Sequence, residues 1–93
     1  DRRLLSQNGF LVAVVTLDDE TGEIVAGPEI ISRGLVYNQE AAEFIAGAKE
    51  VVAEVVAETK RADLQARLRQ SLVDYVYTEI GRRPMVIPVV LEV

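Results

Sequence analysis

The segment at residues 10–17, FLVAVVTL, constrains the fold more than any other part of this sequence. It is short, rich in β-branched residues and apolar at nearly every position, which is typical of a strand buried on both faces. A strand of this kind needs a neighbouring strand on each side, and both of its faces must be kept from water. The sequence therefore predicts a sheet with residues 10–17 at its centre.

Two further strands are predicted, and each contains a proline. The loop at residues 18–23, DDETGE, has the Asp and Gly residues of a hairpin loop, so residues 24–31 should return beside the first strand. Gly27-Pro28 interrupts this second strand, and Pro88 interrupts a third strand at residues 85–93. Because proline cannot donate a hydrogen bond to the sheet, both strands are expected at its edges. The predicted strand order is 2-1-3, with the last strand parallel to the first.

Two amphipathic helices are predicted between the second and third strands. The first runs over about residues 39–60 with Asn38 as N-cap, and the second over about residues 64–80 with Asp63 as N-cap and Gly81 as its stop. Apolar residues recur in both at the i, i+3, i+4, i+7 spacing. In the first helix they are Ala41, Phe44, Ile45, Ala48, Val51, Val52, Val55 and Val56, and the opposite, solvated face is Glu43, Gly47, Glu50, Glu54 and Glu58.

The expected fold class is α/β (α+β), a ββααβ two-layer sandwich whose three-stranded mixed sheet carries both helices on one face. The other face is left uncovered, although the central strand offers apolar side chains to both faces. We therefore expect a second copy of the domain, or another domain of a longer chain, to cover it. The alternative is a strongly twisted sheet around which the helices wrap further. The candidate interface residues are Phe10, Val12, Val14, Val86 and Val90.

The composition excludes several kinds of active site. The 93 residues include no histidine and no cysteine, so Ser-His-Asp and Cys-His catalysis lack their imidazole base. A zinc site is disfavoured because zinc is held mainly by Cys and His, whereas an all-carboxylate Mg²⁺ site stays open. The net charge of −5 argues against a free-standing nucleic-acid binder. No apolar run reaches the roughly 18 residues of a membrane span.

One end of the predicted sheet gathers positive charge. The start of the first strand, the end of the second and the start of the third meet there, and the acidic hairpin loop lies at the opposite end. Guanidinium groups bind phosphate through paired hydrogen bonds, so contact with an RNA backbone is one interpretation of this end. The other interpretation, which is favoured, is ion pairing with another domain of a longer chain or with helix carboxylates. The arginines are Arg2, Arg3, Arg33, Arg82 and Arg83.

Three weaker signals have both a functional and a structural interpretation. Ser32-Arg33-Gly34 is either an anion-binding nest or a bend that requires glycine. The glutamates of the first helix are either metal ligands or a solvated face, and the second interpretation is favoured. Tyr37, Tyr75 and Tyr77 are candidates for stacking on bases. Tyr75 falls on the core stripe, however, and Tyr37 is expected to pack at the start of the first helix.

Three stretches of the sequence together resemble one family. They are the opening DRRLLS with Asn8-Gly9, the hairpin stretch TGEIVAGPEIISRGLVY at residues 21–37, and the ending RRPMVIPVVLEV at residues 82–93. These stretches resemble the C-terminal domain of bacterial ribonuclease J, of the metallo-β-lactamase/β-CASP nucleases. The resemblance covers essentially the whole chain, and the helical middle adds little to it.

The resemblance implies a parent enzyme that degrades and matures RNA in the cytoplasm, as a 5′ exonuclease and endonuclease with two zinc ions. It implies that the zinc ligands lie upstream in a catalytic domain, so no residue here is assigned as catalytic or metal-binding. Residues 1–93 are then one C-terminal accessory domain that mediates dimerisation and supports activity. The chain opens on Asp1 rather than Met, and we expect it to be a piece of a longer polypeptide.

The expected partners follow from these interpretations. They are a second copy in a homodimer and the catalytic domain of the same polypeptide, with RNA as a further candidate and no membrane. No cofactor is expected within the domain itself. The competing hypotheses are a module that guides RNA through the arginine cluster and a small-molecule regulatory domain.

Overall fold

A computed structural model describes residues 9–36 and 40–93 and contains five helices and strands in the predicted order. Strand β1 is Phe10–Leu17, strand β2 is Ile24–Arg33, helix α1 is Glu40–Glu58, helix α2 is Arg61–Ile80 and strand β3 is Met85–Glu92. The strand order is β2-β1-β3, with β1 antiparallel to β2 and parallel to β3. The predicted ββααβ arrangement and the mixed three-stranded sheet are confirmed.

Burial alternates along β1 because its two faces meet different surroundings. Leu11, Ala13, Val15 and Leu17 are no more than 2% exposed, whereas the residues between them are half-buried. The buried four face both helices, since α1 packs against β2 and α2 packs against β3. The helices contribute Phe44, Ala48, Val52 and Val55 from α1, and Leu64, Leu68, Leu72 and Val76 from α2.

Both proline-containing strands lie at the edges of the sheet, as predicted. The register of β2 shifts opposite Val14–Thr16, next to Gly27-Pro28, and this irregularity places a bulge in the edge strand. Pro88 of β3 is paired with Ala13 of β1 and is buried. Its carbonyl accepts a hydrogen bond from the Gln65 side chain at 3.4 Å, which ties β3 to α2.

Tyr75 joins the two helices. Its hydroxyl donates a hydrogen bond to the Phe44 carbonyl at 2.9 Å, and the two rings lie 5.4 Å apart. Gly47 lies against the hydroxyl end of Tyr75, so its expected place on the solvated face is wrong, whereas the expected packing of Tyr75 is confirmed. Burial, and then the negative charges of Glu79 and Glu50, raise the pKa of Tyr75 above its ordinary value.

The helix ends differ partly from those predicted. Helix α2 begins at Arg61 after Lys60, whose side chain makes no capping hydrogen bond. Asp63 therefore lies in the first turn and is not the N-cap. Gly81 ends the helix in the left-handed conformation, as predicted. The predicted N-cap Asn38 and the neighbouring tyrosine at position 37 lie outside the described residues.

Candidate association surface

The sheet face that carries no helix consists of four rows of side chains, and we call it the open face. Residues paired across neighbouring strands point to the same face, so the register aligns each half-buried residue of β1 with one residue of each edge strand. Each row therefore runs from β2 through β1 to β3. The rows are Arg33–Phe10–Met85, Ile31–Val12–Ile87, Glu29–Val14–Val89 and Ala26–Thr16–Leu91.

The open face is apolar and accessible. Ile31 is 51% exposed, Leu91 49% and Ile87 41%, which are high values for large apolar side chains. Glu29 and Arg33 are exposed along the β2 edge and give the apolar surface a charged rim. Contiguous apolar surfaces rimmed by polar residues are typical of interaction sites. The open face is therefore the candidate functional site of this chain.

The predicted interface residues divide between the two faces of the sheet. Phe10, Val12 and Val14 lie on the open face, as expected. Val86 and Val90 do not, because their pairing with β1 turns them toward the helices; Val86 is 4% exposed and Val90 packs against the core. Their assignment to this surface is wrong, since a one-residue error in a strand moves every side chain to the other face. Strand β3 contributes Met85, Ile87, Val89 and Leu91 instead.

A shallow depression of about 230 Å³ lies on the open face beside the β2 bulge. It is lined by Val14, Thr16, Ala26, Gly27 and Glu29. Gly27 has a φ of +86°, and a Cβ atom there would come within 2.9 Å of the Val14 carbonyl oxygen. Glycine is therefore required at this position. The sequence shows the proline and glycine of the bulge but not the hollow beside them.

The predicted convergence of arginines holds in part. Arg33 ends β2 and is paired with Phe10, while Arg82 and Arg83 precede β3, so all three belong to the same end of the sheet. Arg83 lies with its guanidinium carbon 4.4 Å from the centroid of the Tyr77 ring, a cation–π contact. Arg33 is exposed at the corner of the open face. The two arginines at positions 2 and 3 lie outside the described residues.

Gly34 and Arg82 hold this end of the sheet together. An Nη1 N–H of Arg82 donates to the Gly34 carbonyl at 2.6 Å. Gly34 has a φ of +73°, and a Cβ atom there would lie 3.3 Å from the Gly9 Cα atom. The Met85 N–H donates to the Gly9 carbonyl at 3.3 Å. These contacts support the bend interpretation of Ser32-Arg33-Gly34 over the anion nest.

The acidic hairpin loop lies at the opposite end of the sheet. The Asp18 carboxylate accepts hydrogen bonds from the backbone N–H groups of Glu20 at 2.8 Å and Thr21 at 3.0 Å. These two hydrogen bonds favour the charged form, so they hold the pKa of Asp18 below its ordinary value of 3.8. The predicted separation of charge along the strands is nevertheless incomplete. At the hairpin end, Arg61 forms an ion pair with Glu92. At the arginine end, Glu40, Glu43 and Glu79 lie together around one depression.

The donor set of this chain does not fit a zinc centre. The sequence has no histidine or cysteine. Within residues 9–36 and 40–93, no three carboxylates come close enough together to hold a metal ion. In the same residues, no helix is both long enough and apolar enough to cross a membrane.

Comparisons with known proteins give one consistent result. The sequence model of a family described as Ribonuclease J C-terminal domain matches residues 1–93. Ribonuclease J2 of Bacillus subtilis strain 168 is 41% identical over 99 residues. The proteins named Ribonuclease J 2 of Staphylococcus epidermidis strain RP62A and Staphylococcus aureus strain NCTC 8325 are 40% and 39% identical over the same length. Each alignment covers 100% of this chain but only 18% of the relative.

Proposed function

Because this chain belongs to the ribonuclease J C-terminal domain family, we propose that it mediates dimerisation of a ribonuclease J-like enzyme and supports its activity without chemistry of its own. The parent would be a cytoplasmic 5′ exonuclease and endonuclease that degrades and matures RNA. Its zinc ions would be held by an upstream catalytic domain, since no residue here fits that role. The single observation that supports the proposal is the apolar open face.

The two faces of β1 differ in what covers them. Its buried side chains have a helical layer above them, whereas Phe10, Val12 and Val14 are half-buried on the face that no helix of residues 9–36 and 40–93 covers. Covering apolar surface is favourable by roughly 25 cal/mol for each Å² removed from water. Two sheets pack well at about 10 Å separation with aligned strands. A second sheet packed on the open face would bury the apolar side chains that the helical layer does not cover.

The decisive experiment measures the molar mass of the chain by light scattering across a concentration series, at low and high salt. We expect a rise from 10.2 kDa toward twice that value, and persistence in high salt because apolar contacts are not screened. Ile87→Lys places a charge on the open face and should keep the chain monomeric. Ala53→Lys is the matched control, because Ala53 is exposed on helix α1, on the other side of the sheet.

Far-UV circular dichroism of both variants establishes that they fold. A wild-type chain that stays at 10.2 kDa at every concentration contradicts autonomous dimerisation. In the parent enzyme, Ile87→Lys should lower both the dimer fraction and the nuclease activity, whereas Ala53→Lys should leave both unchanged. If Ile87→Lys abolished the dimer but left full nuclease activity, dimerisation would stand and the supporting role in activity would not.

Contact with RNA is the second candidate function, and the shared end of the three described arginines favours it. Arg83 is the residue to test, because Arg82 supports the bend at Gly34. Arg83→Glu should weaken binding of single-stranded RNA and reduce the slope of log affinity against log salt by about one. Arg69→Glu makes the same charge change in the middle of α2 and is the control. Equal effects of the two variants would exclude a site at this end.

A further inference from the structure

The rows of the open face are self-complementary under a rotation of 180°. Resting on the proposed dimerisation, we infer that two copies pack open face to open face about a two-fold axis that crosses the strands along the row Ile31–Val12–Ile87. The partner is thus a second copy of this chain with its strands antiparallel to the first. Each copy then presents β2 to β2, β1 to β1 and β3 to β3.

The charges of β2 support this arrangement. Glu29 and Arg33 lie two residues to either side of Ile31 on the same face. Half a turn about Ile31 brings Arg33 of one copy onto Glu29 of the other, and the same contact recurs at the symmetric position. Within the described part of the chain, neither side chain has an ion pair or a side-chain hydrogen bond. Two charges of opposite sign are therefore available at matching places on the rim.

The shape of the face supports the same axis. The half turn lays the row of Phe10 over the row of Val14 in the other copy. Phe10 is the only aromatic residue in the four rows, and Val14 borders the depression of about 230 Å³ beside Gly27. A large side chain thus meets a small one and a hollow, which is how facing layers interdigitate in a packed core. The axis row brings β-branched isoleucine and valine against themselves.

Other axes match less well. A two-fold axis parallel to the strands would lay β2 over β3 of the other copy, so Glu29 and Arg33 would meet only apolar side chains. Burying a charge without a partner is costly. Pairing of two β2 edges in one continuous sheet would also bring Glu29 beside Arg33, but it would leave the apolar rows uncovered. Only the axis across the strands pairs the charges and covers the rows together.

Charge reversal tests the register. Glu29→Arg and Arg33→Glu each create two like-charge contacts, and each should raise the dimer dissociation constant at least about tenfold. An equimolar mixture of the two variants restores both opposite-charge contacts, and it should dimerise with nearly the wild-type constant. Sedimentation at up to several hundred micromolar is appropriate, because a three-stranded face about 14 Å wide and 26 Å long is small for an interface. The absence of native cysteine allows a second test by single labels.

Spin labels on Ile87→Cys and Leu91→Cys separate the arrangements. Both residues are exposed on the open face of β3, but only Ile87 lies on the proposed axis. The two Ile87 backbones should lie about 10 Å apart, and the two Leu91 backbones about 25–30 Å apart because each is four residues from the axis. Edge-to-edge pairing of β2 would instead separate the Ile87 backbones by about 24 Å.

The outcomes distinguish the inference from the function on which it rests. A short Ile87 distance, a long Leu91 distance and recovery in the charge-reversed mixture are the expected results. Dimers with a long Ile87 distance, or charge-reversed variants that associate as the wild type does, overturn this register and leave dimerisation intact. A wild-type chain that never associates overturns both.

Discussion

Replacement of Gly47 by alanine should destabilise this chain, although the same change in most helices is stabilising. In a helix interior, alanine is favoured over glycine by about 1 kcal/mol because glycine loses more backbone entropy. Gly47 is an exception because a Cβ atom there would lie 2.9 Å from Cζ and 3.1 Å from Cε1 of Tyr75, and nearer still to its hydroxyl oxygen. The ring must therefore move, and the Tyr75 hydroxyl must leave the Phe44 carbonyl.

The magnitude follows from three contributions. The lost hydrogen bond costs about 1 kcal/mol. Overpacking between two helices costs about 1–3 kcal/mol. The gain in helix propensity offsets about 1 kcal/mol of these costs. The expected net loss is about 2 kcal/mol in the free energy of unfolding, which corresponds to a fall of about 10 °C in Tm for a chain of this size.

The assay is urea unfolding followed by far-UV circular dichroism. Ala46→Gly provides the baseline, since Ala46 is exposed beside Gly47 on the same helix and should lose only the propensity difference of about 1 kcal/mol. Tyr75→Phe removes the atom nearest to the new Cβ, so Gly47→Ala should cost less in that background. A Gly47→Ala chain as stable as the wild type, or more stable, would refute the packing argument.

Four further outcomes are expected. Leu72→Ala removes a fully buried side chain and should lower the free energy of unfolding by about 2–5 kcal/mol in urea titration. Glu92→Gln breaks the exposed 2.6 Å ion pair with Arg61 and should cost less than about 1 kcal/mol in the same titration. Because folding raises the pKa of Tyr75, its protonated hydroxyl stabilises the folded chain at pH values below its ordinary pKa of 10.0, and this stabilisation is lost as the pH rises through the higher folded pKa. The urea midpoint of the wild type should therefore fall above pH 10, and the midpoint of Tyr75→Phe should fall less. Because folding lowers the pKa of Asp18, its carboxylate stabilises the folded chain at pH values above its ordinary pKa of 3.8, and this stabilisation is lost as the pH falls through the lower folded pKa. In acid, the urea midpoint of the wild type should therefore fall more than that of Asp18→Asn.

The strand order was predictable because prolines mark the edges. Proline at positions 28 and 88 left residues 10–17 as the only candidate for the central strand, and the parallel pairing followed from the direction of the chain. The uncovered apolar face was predictable for the same reason. A central strand that is apolar on both faces needs a packed layer on each face, and both helices of this chain pack on the same face.

The faces to which the side chains of β3 point, and the contact between Gly47 and Tyr75, could not be predicted from the sequence in the same way. The apolar run at residues 85–91 has no alternation that assigns its faces, so Val86 and Val90 were placed on the wrong side. Gly47 follows the spacing of the glutamate face, and only the position of Tyr75 on the other helix shows that it is covered. Asp63 is a good N-cap by type, yet α2 extends three residues further toward its N-terminus than predicted, because residues 61–63 also adopt helical geometry.

The parallel pairing of β1 with β3 has a consequence for the order in which the chain is made. About 75 residues separate Phe10 from its partner Met85, so the central strand is synthesised long before its second neighbour exists. Closing so long a loop costs entropy, and chains dominated by such distant pairings fold slowly. Until β3 is synthesised, one edge of β1 has no hydrogen-bonded neighbour and the core on its helix-covered face is incomplete. The domain is therefore complete only when the last strand is made, and a ribosome that stalls before it leaves one edge of the apolar strand β1 exposed to pairing with other chains.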